Sequence, residues 1–351
     1  MSRYDSLREA SGRDATGPLA LVGDIGGTNA RFALTDLSAG RPLIVSPRTF
    51  LCTEFDSAEA AIDRYLGALG RGRPRSAVIA VAGPVSRGAA SFTNGVWSLS
   101  EQILTAHGFS TACLINDYAA LALGAAGLVG EERQEIGPAI AAPTGETIAV
   151  IGAGTGFGVA GLAWDEGRPV AITTEGGHAS FAPNDQIEVE LLRILRARFG
   201  HVSIERMLSG PGLRNIYSAL AELDGAPAEA PSPEDITTQA LAGEDHLAVE
   251  TLDRFCAIFG AAAGDIALTL GARGGVFLAG GIAPKILQRL QSGSFRRRFE
   301  AKGRFESYLQ PIPTSVIVQP HAALLGAAEQ LRRMQSNHSE SSLISQAGGR
   351  P

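Results

Sequence analysis

Short apolar runs and Gly-containing turns alternate at the start of the chain. "LALVGD", "ARFALTDL" and "PLIVSPRTF" predict three β-strands separated by Gly/Asn and Gly-Arg-Pro turns. The period then changes: in "SAEAAIDRYLGALG" the apolar residues Ala61, Ile62, Tyr65, Leu66 and Leu69 recur at helical spacing. A strand in "SAVIAVAG", another in "GAASFTNGVWSLS", a short helix near 100–107 and the strand "ACLIN" follow. The second half restarts the pattern with "TIAVIGAG", "FGVAGLAW" and "PVAITTE", again three strands with a glycine turn between the first two. Helices are expected at 185–199, 203–223, about 233–242 and 246–270. The strand "GGVFLAGG", a helix, the strand "TSVIVQ" and a closing helix in "AALLGAAEQLRRM" complete the chain.

Two βββ-α units, each opening on strand, glycine turn and strand, read as an ancient duplication. They predict an α/β protein of two lobes, each on a mixed βββαβα sheet, with the helices of 185–270 inserted in the larger one. The expected boundaries are a small lobe at 19–115 plus 320–335 and a large lobe at 116–319. Residues 1–18 and 336–351, rich in Ser, Gly, Arg and Asn, are expected to be disordered tails. If the lobes face each other, their glycine turns approach a common ligand.

Composition narrows the classes. At 351 residues the chain is long for one core, and 45% hydrophobic with 19% charged residues is ordinary for a soluble globular protein. A net charge of −6 without a basic stripe argues against nucleic acid. Only two lysines occur, Lys285 and Lys302, which removes most lysine-based phosphate chemistry. Cys52, Cys113 and Cys256 are odd in number and far apart, so neither a disulfide framework nor a zinc knuckle is expected. The first 18 residues lack the apolar core of a signal peptide, and no run reaches the ~18 apolar residues of a membrane helix. A cytoplasmic location is the expectation.

The glycine turns carry the candidate chemistry. No glycine is followed by lysine, so a Walker A loop is out. "GAGTGFGVA" has the wrong spacing for a dinucleotide fingerprint and leads into a strand rather than a helix. What remains is a hairpin whose turn wraps the phosphates of ATP. Bare N–H groups at Gly26 and Gly27 would face phosphate oxygens and Thr28 would add a hydroxyl, yet Asp24 in the same stretch should repel them. A divalent ion resolves the conflict: Mg²⁺ keeps several waters and takes one or two carboxylates, and Asp24 can reach it through water. The alternative is an ordinary hairpin with Asp-x-Gly-Gly turn chemistry. A second turn around Gly154 and Thr155, and a third glycine pair, Gly280–Gly281, where a flat ring could slide against backbone, favour the nucleotide.

A polar cluster suits a small polyhydroxylated ligand. Asn116 and Asp117 stand where "ACLIN" ends and an apolar helix begins. Asp117 is either that helix's cap or a general base at the C-terminal end of a strand. Glu175 and His178 bracket two glycines; a zinc site would need another ligand. Glu205 follows Ser203 and either complements a helix dipole or meets a ligand. Asn94 lies in a turn near Trp97, a pair able to meet a sugar's hydroxyls and apolar face or else a plain turn beside a core tryptophan.

Seven segments in order, "GDIGGTNARFAL", "TNGVW", "INDYAALALG", "GAGTGFGVA", "EGGHASFAP", "GHVSIERMLSGPGL" and "GGVFLAGGI", resemble the bacterial glucokinases of the proteobacterial type. That family belongs to the hexokinase, actin and heat-shock chaperone superfamily, and the match runs over roughly residues 19–335. The resemblance implies an actin-like ATPase fold, related to ribonuclease H, whose two lobes close on glucose. It implies Asp117 as base for the 6-hydroxyl, Asn116, Glu175, His178 and Glu205 on glucose hydroxyls, and Mg²⁺–ATP as donor. It places Gly23–Thr28, Gly154 and Thr155 on the phosphates and Gly280–Gly281 near adenosine, in what is usually a homodimer. The repressor/ORF/kinase glucokinases carry a cysteine-rich zinc motif after their sugar-binding histidine; "EGGHASFAPND" has no cysteine, so no zinc is expected. The expected activity is phosphorylation of D-glucose at O6, the first step of glycolysis. Alternatives are a kinase for another hexose, a sugar-binding regulator without turnover, and an actin-like polymerising ATPase.

Overall fold

The computed structural model describes residues 19–347 apart from 39, 71, 92–96, 142 and 226–228. Asn94 and the two terminal segments 1–18 and 348–351 therefore lie outside the described residues. The chain divides into two compact units: one takes the residues up to Leu128 and those from Pro320 onward, the other Val129–Gln319.

The first unit runs through β1 (Leu19–Ile25), β2 (Asn29–Asp36), β3 (Leu43–Leu51), α1 (Ala58–Leu69), β4 (Ser76–Val81), β5 (Val85–Ser86), β6 (Ala89–Ser91), β7 (Ser98–Ser100), α2 (Glu101–Ala106), β8 (Thr111–Asn116) and α3 (Asp117–Ala125). Its main sheet has the order β3-β2-β1-β4-β8, antiparallel across β1, β2 and β3 and parallel across β1, β4 and β8. β5, β6 and β7 form a small separate sheet, so the single strand expected in "GAASFTNGVWSLS" is two. Alternation along β1 buries both faces. Leu21 and Ile25 join Phe32, Ile62, Tyr65 and Leu66 beneath α1. Ala20 and Val22 point the other way, where Leu324, Ala327 and Leu331 of the closing helix α12 (Ala322–Ala347) cover them. That helix continues past residue 335, into residues that composition assigns to a tail. α12 also crosses α3 at close range: a Cβ on Gly326 would lie 1.7 Å from the Ala120 carbonyl, and one on Gly124 2.1 Å from that of Ala322.

The second unit contains β9 (Arg133–Glu135), β10 (Ile148–Ala153), β11 (Phe157–Asp165), β12 (Arg168–Thr174), α4 (Gln186–Phe199), α5 (Ile204–Met207), α6 (Gly210–Leu223), α7 (Pro233–Ala242), α8 (His246–Leu270), β13 (Gly275–Ala279), α9 (Leu287–Gln291), α10 (Ser294–Glu300), α11 (Glu306–Leu309) and β14 (Thr314–Ile317). Its sheet order, β12-β11-β10-β13-β14-β9, repeats the first sheet's pattern and adds β9 as an antiparallel edge. The apolar core lies between this sheet and α4, α6 and α8, where Ile151, Phe157, Ile216, Phe255 and Phe259 meet.

The helices of this unit depart from expectation at two places. The helix foreseen over 203–223 is broken between Met207 and Gly210, because Ser209 caps a new helix, Pro211 sits in its first turn, and Gly212 packs tightly on the Met207 carbonyl. Behind Gly280–Gly281 the chain makes turns rather than a helix until Leu287, with Pro284 contributing no N–H to a helix start.

Candidate active site

In the β1–β2 hairpin Ile25 pairs with Ala30, which leaves Gly26–Thr28 as the turn, closed by the Gly26 N–H on the Asn29 carbonyl at 2.9 Å. Nothing approaches a Cβ on Gly26 closer than 3.7 Å, and Gly27 and Thr28 are exposed, so the turn offers bare backbone. Gly23 is glycine for another reason: its Cβ would stand 2.7 Å from Ile79 Cδ1, inside the core. Ile25 likewise buries its side chain and leaves only its backbone at the turn. From the end of β3, the Cys52 N–H donates to the Thr28 carbonyl at 2.9 Å and its thiol to that of Gly26 at 3.5 Å, bracing the turn.

Asp24 stands opposite Arg31 across the ladder and accepts from its Nη1 at 2.9 Å. The carboxyl is 15% exposed; burial pushes its pKa up, and Arg31 only partly opposes this. A buried carboxylate beside exposed backbone N–H groups fits a hard cation. Among the described residues no group of three or more His, Cys, Asp or Glu could hold a metal, so an ion here would complete its shell with water and phosphate oxygens, the habit of Mg²⁺. The raised pKa fixes a pH signature. Asp24's contribution to stability is full below its ordinary value and is lost as pH rises through the raised folded value. Asp24→Asn is therefore expected to gain thermal stability relative to the parent on going from about pH 4 to about pH 7 without nucleotide, read by melting curves at both pH values.

The β10–β11 hairpin repeats the arrangement. Ala153 pairs with Phe157, and Gly154–Gly156 turn between them with the Gly154 N–H on the Gly156 carbonyl at 2.9 Å. Space around Gly154 is open and Thr155 is exposed. Two further segments converge here. The first N–H of α6, from Gly210, donates to the Gly154 carbonyl at 2.8 Å. After β13, Gly280 takes φ +83° with its Cβ position 2.3 Å from the Ala153 carbonyl, so only glycine fits, while Gly281 beside it faces open space. Gly154, Thr155 and Gly281 thus share one accessible backbone surface.

The polar residues divide between the units. In the first, Asn116 rather than Asp117 caps α3: its Oδ1 accepts from the N–H groups of Tyr118 and Ala119 at 3.0 and 3.1 Å. One Asn116 amide hydrogen goes to the Gly83 carbonyl at 3.1 Å. Asp117 is the first helical residue, half-buried, with Oδ1 accepting from the Tyr118 N–H at 2.9 Å, a contact that orients the carboxylate. Trp97 is a core residue whose indole N–H donates to the Phe55 carbonyl at 3.0 Å, so it does not present its face to a sugar.

In the second unit Glu175 and His178 are exposed at either end of the short 3₁₀ turn Gly176–His178, with Oε2 and Nε2 3.9 Å apart. The glycines between them are pinned: a Cβ on Gly177 would fall 1.9 Å from the Phe157 carbonyl, and one on Gly176 3.2 Å from Val159. Ladder-like bonds from Phe181 to Val202 and from Ile204 to Ala179 join this segment to the start of α5, where Glu205 sits. Glu205 does more than complement the helix: its Oε2 accepts the N–H of Phe157 at 2.9 Å. Beyond the segment, Asp185 caps α4 and pairs with Arg254, while Arg298 holds the fully buried Glu188 through two contacts at 2.7 and 2.9 Å. Burial pushes Asp185 up, but the Glu188 N–H and the two arginines outweigh it and hold the carboxyl below its ordinary value.

The sequence did not single out Arg31, Cys52, Ser209 or Gly210. Arg31 becomes legible once the hairpin register is known, because it must face Asp24; Cys52 and Gly210 contact the turns from distant segments, and Ser209 caps α6 and bonds the Glu205 carbonyl.

Among solved structures, a glucokinase from an Antarctic psychrotroph superposes with a TM-score of 0.82 at 37% identity, covering 90% of this chain and 99% of that one. The protein is a kinase of the actin-like ATPase fold. The family model for glucokinase matches residues 21–334. A glucokinase of Caulobacter sp. (strain K31) is 51% identical over 91% of this chain and 96% of its own length; one of Xanthomonas euvesicatoria is 45% identical over 91% and 96%. The chain belongs to the glucokinase family.

Proposed function

We propose that the protein transfers the γ-phosphoryl group of ATP to O6 of D-glucose, releasing glucose 6-phosphate and ADP. Family membership supports the reaction, and the observation that carries the mechanism is the division of labour at the start of α3. Asn116 makes the cap, and Asp117 presents an oriented carboxylate at the end of β8. As O6 attacks the γ-phosphorus, Asp117 accepts the hydroxyl proton, and the bond from that phosphorus to the β,γ-bridging oxygen breaks. The N–H groups of Gly27 and Thr28 and of Thr155 hold phosphate oxygens, where fixed dipoles stabilise developing charge, while those of Gly26 and Gly154 close the two turns. Mg²⁺, reached by Asp24 through water, neutralises phosphate charge when bound. Gly280 and Gly281 lie along the adenosine. Hydroxyls of the sugar are the partners of Asn94, Asn116, Glu175, His178 and Glu205. The reading extends to a cytoplasmic homodimer at the first step of glycolysis.

A coupled assay over a panel of hexoses and phosphoryl donors tests it. D-glucose with Mg–ATP is expected to give the highest kcat/KM. Glucose binding without any phosphorylated product would replace the enzyme with a regulator, and a preference for another hexose would change the substrate.

A further inference from the structure

We infer that Glu205 is a positioning residue for the second glycine turn as well as a sugar ligand, so that sugar and nucleotide affinities are coupled through one carboxylate. This rests on the reading of Glu205 as a glucose contact and of Gly154–Thr155 as a phosphate contact. The Glu205 Oε2 accepts the Phe157 N–H at 2.9 Å, a charge-assisted bond to the residue that closes the hairpin turn. The same oxygen lies 2.5 Å from where a Cβ on Gly156 would stand, so a side chain at 156 would displace the carboxylate from its seat. The backbone repeats the grip: Ser209 donates its hydroxyl to the Glu205 carbonyl at 2.8 Å, and the adjacent Gly210 donates its N–H to the Gly154 carbonyl at 2.8 Å. Side chain and main chain of the α5–α6 corner therefore hold the turn at two separate points. A hydroxyl donating to the Glu205 carboxylate restricts the rotamer that holds Phe157, and a phosphate that orders the turn restricts the rotamer that meets the sugar. Linkage requires the effect to be equal in both directions.

Gly156→Ala is the sharpest test because it replaces no proposed sugar ligand and reaches Glu205 only by displacing its carboxylate. Gly156 is not among the glycines with positive φ, and the new methyl meets only the far end of a flexible side chain, so the fold should survive, as checked by thermal unfolding. Calorimetric titration of the full chain with glucose alone is expected to show about a fivefold or greater loss of affinity. Titration with Mg–ADP in the absence of sugar supplies the reciprocal arm. Glu205→Ala should weaken ADP by about fivefold, whereas Glu205→Gln, whose amide oxygen can still accept from Phe157, should stay within about twofold of the parent. Unchanged glucose affinity in G156A, unchanged ADP affinity in E205A, or equal ADP losses in E205A and E205Q would each overturn the coupling. A parent protein that binds neither glucose nor ADP would instead remove the underlying assignment of the two sites, and the coupling with it.

Discussion

Asp117→Asn is expected to lower kcat by about a thousandfold while glucose KM stays within about threefold. Asparagine has almost the volume of aspartate and keeps an oxygen for the Tyr118 N–H, so the first turn of α3 is preserved. What it lacks is a site for the proton leaving O6. The alkoxide must then form without a base, and the loss falls on the chemical step rather than on sugar binding. Steady-state rates paired with calorimetric glucose titration separate the outcomes. Full turnover in D117N removes Asp117 as the base, and weakened binding with proportionate turnover makes it a sugar ligand only. Asn116→Ala would disturb something different, since that side chain caps the helix and also reaches the Gly83 carbonyl.

The largest loss of stability is expected from Gly326→Ala, about 3 kcal/mol by urea unfolding. A methyl there would sit 1.7 Å from the Ala120 carbonyl, and backbone on a packed helix cannot step aside as a side-chain tip can. Gly124→Ala meets the Ala322 carbonyl at the same crossing and is expected to cost a similar amount. Because both push the same two helices apart, the double variant should lose less than the sum of the singles. A Gly326→Ala protein as stable as the parent would mean that α3 and α12 can separate freely. The crossing also bears on chemistry, because α3 begins with Asp117, and G326A should reduce kcat even in the folded fraction.

Much of this architecture is legible in the sequence because its signals are local. Strand–glycine–strand spacing marks both hairpins, and the 25-residue helix α8 announces itself through continuous apolar periodicity. The same locality explains the misses. β9 is Arg-Gln-Glu, without any apolar alternation, and exists because β14 offers it a partner far along the chain. The break before α6 depends on Gly212 meeting the Met207 carbonyl, a contact that periodicity does not register. In the candidate site, residue types pointed to Asp24, Asp117 and Glu205, yet the partners of Asp24 and Glu205 came from register and tertiary packing. Gly23 and Gly26 look alike in sequence and differ in cause: one is required by Ile79 and the other leaves space at the turn.

The placement of α12 has a consequence for biosynthesis. Ala20, Val22 and Val78 emerge from the ribosome well before the residues that cover them, Leu324, Ala327 and Leu331. Translation at about 5–20 residues per second leaves that apolar face waiting tens of seconds for its cover. A premature stop before residue 320 would remove that cover and leave the apolar face of the sheet open to aggregation.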